Sequence, residues 1–399
     1  MGDFFDTLGE IFLPKPVQNQ MQEVSVEIPV GDLRVDGDFT SGQVDYGSLW
    51  YDPKILYHSA RAEKIRGLYG PVLELPTMLF QKYLRQSDNP DYPLAYALTS
   101  IGFGLATFWL GGGLAVVQHE YGHLASALAG GASSARLEYY FGNHEKNQPT
   151  AATIISEADY KKMPDDYKLL TGGSGLAAHT QPFRRVIEDA LMTGNRLSLA
   201  DVSLMGIYYY GNIGGYKMDA VQNDLVLHPE RTQGSPQFSV TLANLFRPYG
   251  AASMLGSFAA WAFGDAFVLP GIIPDWNADF GPLGAQYAFR TYFRLDENTV
   301  IKPEVRFTTE RPSLTAGFAY FLTGEEGSVR MKLEGELWYQ PHFDGLGMAL
   351  GTTLIVPIVD GIEAKADLHY KTYGYEPDAA TLGHNLSGFA SVTVSDKLF

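Results

Sequence analysis

From about residue 280 onward the chain repeats one pattern. Val329, Met331, Leu333, Gly335, Leu337 and Tyr339 alternate with Arg330, Lys332, Glu334, Glu336 and Trp338. Ile362, Ala364, Ala366, Leu368 and Tyr370 alternate with Glu363, Lys365, Asp367, His369 and Lys371. Side chains of a strand point to opposite faces in turn, so a period of two predicts strands with one apolar and one charged face. Similar runs occupy 284–294, 299–308, 313–323, 346–358 and 386–395, with turn-like pieces such as Asp296-Glu297-Asn298 and Val359-Asp360-Gly361 between them. Seven strands with short links predict an up-and-down antiparallel meander. An eighth strand is expected at Gln237 to Leu245, giving a β-barrel of about eight strands.

Such a barrel has two forms. In a soluble barrel the apolar faces fill the inside and the charges meet water. In a transmembrane barrel the apolar faces meet lipid, and charges of both signs pair within the lumen. Runs of about 10–12 residues suit the membrane form, in which a tilted strand needs roughly 9–11. Over about 120 residues the pattern, together with Phe399 as the last residue given, resembles bacterial outer-membrane β-barrel proteins. That resemblance implies membrane lipid as a partner and a place in a bacterial envelope, in the outer membrane, with the inner membrane as the alternative. The 43 glycines, 24 tyrosines and 23 phenylalanines suit an envelope β-protein. A net charge of −16 argues against a nucleic-acid partner, and the absence of cysteine excludes disulfides, thiolate metal sites and a cysteine nucleophile.

A second region is nearly stripped of charge. Between Asp91 and Arg136 the only Asp, Glu, Lys or Arg is Glu120. Leu94 to Val117 is long enough as a helix, at about 36 Å, to cross a bilayer core of roughly 30 Å. The alternative is a buried helix pair broken at Gly111-Gly112-Gly113. At the end of this stretch stands His119-Glu120-Tyr121-Gly122-His123, an H-E-x-x-H sequence. On a helix, residues four apart share a face, so both imidazoles reach one metal ion. Glu120 is then placed as general base on a water at the metal. Burial of one carboxylate and two imidazoles among apolar residues is costly unless they are paired or hold a metal.

The run His119 to Arg136 resembles the active-site helix of zincin metallopeptidases, and especially that of site-2-protease-type membrane peptidases. The resemblance implies zinc as cofactor, His119 and His123 as ligands, Glu120 as catalytic base, and a peptide or protein substrate. A third ligand is open. His179 ranks first, then Glu188 and Asp275, while Glu157, Asp201 and Asp279 also remain. Gly172-Gly173-Ser174-Gly175 is expected to precede an amphipathic helix through Phe183, Val186, Ile187, Ala190 and Leu191, with Arg184 and Arg185 on its polar face.

The expected fold is therefore α+β and membrane-associated. A mixed segment spans 1–90, with a short strand at Glu23 to Pro29 and a helical stretch at Lys54 to Gln86. A helical metal-site region spans 91–275, including an apolar run at Tyr249 to Ile273 that carries only Asp265. The antiparallel barrel spans 276–399. The expected function is membrane-associated, zinc-dependent peptide-bond hydrolysis. The alternative is a non-enzymatic outer-membrane channel or scaffold, with a helical plug and a structural metal. Other envelope proteins are further expected partners.

Overall fold

A computed structural model describes residues 26–36, 42–46, 58, 98, 101–102, 115–139, 151–192, 196–197, 205, 267–268, 271–308, 310–324, 327–359 and 362–394. In chain order these form β1 (Val26–Asp36), β2 (Gly42–Tyr46), helix α1 (115–129), β3 (Arg136–Tyr139), β4 (Ala151–Ile154), α2 (Glu157–Lys162), α3 (Asp165–Met192), β5 (Arg196–Leu197) and β6 (Phe267–Val268). The meander follows as β7 (Ile272–Gly281), β8 (Gly284–Arg294), β9 (Thr299–Thr308), β10 (Leu314–Leu322), β11 (Arg330–Gln340), β12 (Gly345–Val359), β13 (Ile362–Lys371) and β14 (Asn385–Val394). The chain is α+β.

The seven strands expected between 284 and 395 are β8 to β14. Each pairs antiparallel with the next, as short links require. The eighth meander strand is β7, which pairs with β8. The expected Gln237 to Leu245 strand lies outside the described residues. β7 holds Asp275, Asn277 and Asp279 on its buried face and leaves Trp276 exposed. It also carries Pro274, which a strand at a sheet edge tolerates because no N–H is demanded on its open side. A boundary at 275/276 falls inside this strand.

The sheet is larger than expected and is not closed. Its order is β2-β1-β14-β13-β12-β11-β10-β9-β8-β7. A barrel of the meander alone needs β14 to meet β7. The second edge of β14 is instead taken by β1, which pairs with it from Val26↔Val394 to Asp36↔Asn385. Of the short strand expected at Glu23 to Pro29, residues 26–29 form the start of an eleven-residue strand, and 23–25 lie outside the described residues. β2 and β7 are the edges among the described residues.

The polarity of the sheet is inverted relative to a soluble protein. Leu337 is 66% exposed, whereas its neighbour Glu336 is 8% exposed. Arg290, Lys302, Glu304, Arg306, Arg330, Lys332 and Lys365 are all buried, while Phe289, Val305, Phe307, Phe318, Leu333, Leu350 and Leu354 are exposed. On the outer face aromatic side chains form a ladder across strands. The Trp276 and Phe289 rings lie 5.8 Å apart, and Phe289 stacks on Phe307 at 5.9 Å.

Helix α3 fills the charged side. Its residues meet side chains from β7, β8, β9, β11, β12 and β13, so the sheet curls around it. Lys302 Nζ and Lys332 Nζ donate to Glu188 at 2.8 and 2.9 Å, and the Tyr292 hydroxyl donates at 3.3 Å. Arg185 donates to Asp367 at 2.5 Å, and Lys365 to Asp189 at 3.0 Å. At the far end, Arg330 donates to the Met192 carbonyl at 3.1 Å. Arg184 and Arg185, expected on the polar face of this helix, meet carboxylates there. Both are buried, because the wall opposite them supplies the carboxylates that water would otherwise replace. The glycines at 172–175 also lie within α3 rather than before it.

The other apolar stretches fall largely outside the described residues. This holds for Leu94 to Val117 except 98, 101–102 and 115–117, for Lys54 to Gln86 except His58, and for Tyr249 to Ile273 except 267–268 and 271–273. Asp265 is outside too. Among the described residues no helix is long and apolar enough to cross a membrane.

Glu188 lies at the centre of the buried charge network, so its removal leaves Lys332 to Glu334 alone and Lys302 to longer contacts with Glu304 and Glu334. Glu188→Ala is expected to destabilise the fold by about 3–5 kcal/mol. Equilibrium unfolding of wild type and variant measures this directly; equal midpoints would show that the network does not hold α3.

Candidate metal centre

Helix α1 carries the H-E-x-x-H sequence and ends in a Schellman motif. Gly131 has φ of +89°, the Gly131 N–H donates to the Leu128 carbonyl, and the Ala132 N–H donates to the Ala127 carbonyl. Ala132 then packs on Ala127 beside Met163. Glycine is needed here because the left-handed conformation is strained for other residues. The turn leads by way of Ser134 to Asp159 of α2, whose carboxylate accepts the Ser134 N–H at 2.8 Å. Hydrogen bonding from the Ser134 side chain and backbone holds the Asp159 carboxyl below the usual carboxylate range.

α1 packs antiparallel against the first half of α3, and small residues let the two backbones approach. A Cβ on Gly122 would lie 2.5 Å from the Ser174 carbonyl oxygen. Ser126 and Ser174 share a short hydroxyl–hydroxyl hydrogen bond. A side chain on Gly173 would overlap the Phe280 carbonyl of β7 on the opposite side. The run Gly172 to Gly175 thus lets α3 approach both its neighbours closely.

Pro182 fixes a further contact. It lies inside α3 and has no N–H, so the Ala178 carbonyl one turn earlier loses its helical partner. Gln118 Nε2 of α1 donates to that carbonyl at 2.7 Å. Gln118 is fully buried and directly precedes His119, so a break in one helix positions the metal-site residues of the other.

His119 and His123 meet as helical spacing predicts. Their Nε2 atoms are 3.1 Å apart. Two nitrogens at about 2.0–2.1 Å from one tetrahedral metal stand about 3.3 Å apart, so the pair has the span of a ligand pair. His123 Nδ1 lies 2.5 Å from the Thr171 carbonyl, which can only accept. Nδ1 therefore carries the proton and Nε2 keeps its lone pair, the tautomer a metal ligand needs. Glu120 completes a group whose ligand atoms lie within 4.8 Å of one another. Its carboxylate accepts the Thr153 N–H at 2.7 Å, and the Thr153 hydroxyl donates to the Glu120 carbonyl at 2.6 Å. Strand β4 therefore clamps Glu120 on the side away from α3. The two imidazoles are donors of a type that zinc takes, with the Glu120 carboxylate beside them.

The other ligand candidates sit in different places. The His179 ring centroid is 5.1 Å from that of His119, and its Nε2 donates to the Ala115 carbonyl at 3.2 Å. Glu188 lies along α3 among the lysines. Asp275 accepts from Arg290 at 2.7 Å, and Asp279 accepts from Thr180, Gln181 and Asn277. Glu157 begins α2 and pairs with Lys161 in solvent. Asp201 lies outside the described residues. Sequence reasoning missed Gln118, Thr153, Thr171 and Gly175. The signal for Gln118 was Pro182, a helix breaker in a helical pattern. The other three are neighbours in space alone.

Comparison of the chain with protein-family models and with curated proteins gave no match.

The pairing of Gln118 with Pro182 gives a double-mutant test. Gln118→Leu leaves the Ala178 carbonyl buried and unmet, at a cost of about 1–3 kcal/mol. In a Pro182→Ala background the helix supplies its own N–H, and the same change is expected to cost less. Additive effects on the unfolding free energy would refute the coupling.

Proposed function

We propose that this protein is a membrane-associated zinc metallopeptidase of a bacterial envelope, held in the outer membrane by its sheet. The catalytic reading rests chiefly on the convergence of His119 and His123, with Glu120 beside them. In this reading His119 and His123 hold the ion, and His179 is the first candidate for a third ligand, although its Nε2 is turned to the Ala115 carbonyl and it stands outside the converging group. Bound zinc acts as a Lewis acid that polarises the scissile carbonyl and acidifies water. Glu120 takes the proton of the attacking water and delivers it to the leaving amine. Thr153 orients Glu120 through its N–H, and Thr171 holds His123 in the ligating tautomer. The substrate is a peptide or protein, and other envelope proteins are further partners.

The membrane reading rests on inverted polarity. Apolar side chains cover the outer face, and paired charges line the inner one, which is the arrangement of a transmembrane barrel wall. Strands β7 to β11, β13 and β14 are 9–11 residues long, matching the roughly 9–11 that a tilted strand needs to cross. In this reading α3 occupies the lumen. That occupancy also favours one alternative, a non-enzymatic scaffold with a helical plug and a structural metal, over an open channel. A closed site with four protein ligands would mark the scaffold, and three ligands with an open position the peptidase.

Elemental analysis of purified protein is expected to find one zinc per chain in wild type and none in His123→Ala. Glu120→Gln is expected to keep its zinc while peptide cleavage falls by about 10²–10⁴-fold. Wild type without stoichiometric zinc, or Glu120→Gln cleaving as fast as wild type, would sink the peptidase. For the membrane reading, the full chain is expected to co-float with lipid vesicles and to need detergent for extraction. A monodisperse, detergent-free solution of the folded protein would refute it.

A further inference from the structure

The two histidine nitrogens converge on a residue of another helix. A Cβ built on Gly175 of α3 would lie within 2.5 Å of His123 Nε2, and 2.5 Å from both Nε2 and Cε1 of His119. Real Cβ atoms essentially never come within 3.0 Å of such neighbours. The two residues before it face elsewhere. Gly173 meets the Phe280 carbonyl of β7, and Ser174 meets Gly122 and Ser126 of α1. Gly175 presents bare backbone to the imidazoles, and it has no positive φ that would call for glycine. Its requirement here is therefore space.

We propose that Gly175 is a positioning residue for the metal: its missing side chain keeps open the coordination space between His119 Nε2 and His123 Nε2. This rests on the zinc-site reading above. A methyl group at 175 enters the space an ion needs at about 2.0–2.1 Å from each nitrogen. The imidazoles can escape only by swinging apart. His123 is also tied to the Thr171 carbonyl, so its ring has little room to turn without breaking that bond. A side chain at 175 therefore separates the ligands as well as filling the site.

The test uses the full chain and zinc alone. Wild type is expected to bind one zinc, and Gly175→Ala to bind about 10–100-fold more weakly, as loss of ligand orientation costs. A second readout is the thermal midpoint of the zinc-free protein. Gly175→Ala is expected to lower it in the wild-type background and to lower it much less alongside His119→Ala and His123→Ala, because the clash is with those two rings. Gly175→Ala binding zinc as wild type does would overturn the proposal. So would an equal fall in midpoint with and without the histidines, which would mean that the glycine serves helix packing alone. If wild type binds no zinc, the metal-site reading itself fails, and the midpoint cycle still decides whether Gly175 makes room for the two rings.

Discussion

A carboxylate withdrawn from water must find cations, and Glu188 finds two lysines from two strands. That requirement organises much of the molecule. Burying an ion costs several kcal/mol unless geometry and hydrogen bonds restore what water gave. Among the described residues, charges on the inner face of the sheet find partners across the wall or on α3, as Arg290 does in Asp275, Asn277 and Glu304, while Lys371 is held by loop carbonyls. The sheet curls because its charged face has a charged helix to enclose. Leucine, valine and phenylalanine are then left to face outward, since alternation gives every strand only two faces.

Alternation was the most legible feature of the sequence, and it located β8 to β14 to within a residue or two. It did not reveal which face is inside, because a period of two is the same for both polarities. β7 carries the same alternation, in Asp275-x-Asn277-x-Asp279, but Pro270 and Pro274 and the apolar run before them obscured it. The pairing of β1 with β14 joins residues about 350 to 370 positions apart and leaves no local trace.

The metal-site residues divide in the same way. Helical spacing brings His119, Glu120 and His123 together, and that follows from sequence alone. The contacts that orient them come from elsewhere in the chain: Thr153 from a hairpin, Thr171 and Gly175 from α3. The glycines at 172–175 suggested the start of a helix because glycine is a poor helix former. Here that cost is tolerated at Gly173 and Gly175 because a carbonyl of β7 and two imidazoles leave no room there for a side chain.

The composition of α3 has a consequence for cooperativity. Three glycines and an internal proline weaken it as an isolated helix by roughly 6 kcal/mol relative to alanine at those positions. Its helicity is conditional on the wall and on α1. The same helix supplies the Thr171 carbonyl and the Gly175 backbone at one end and Glu188 at the other. Loosening the ion pairs thus unwinds the support of the histidines, and loosening the helix pair weakens the grip on the wall. The sheet and the histidine pair are thus mechanically joined through α3, and a disturbance of the wall is expected to be felt at the two imidazoles.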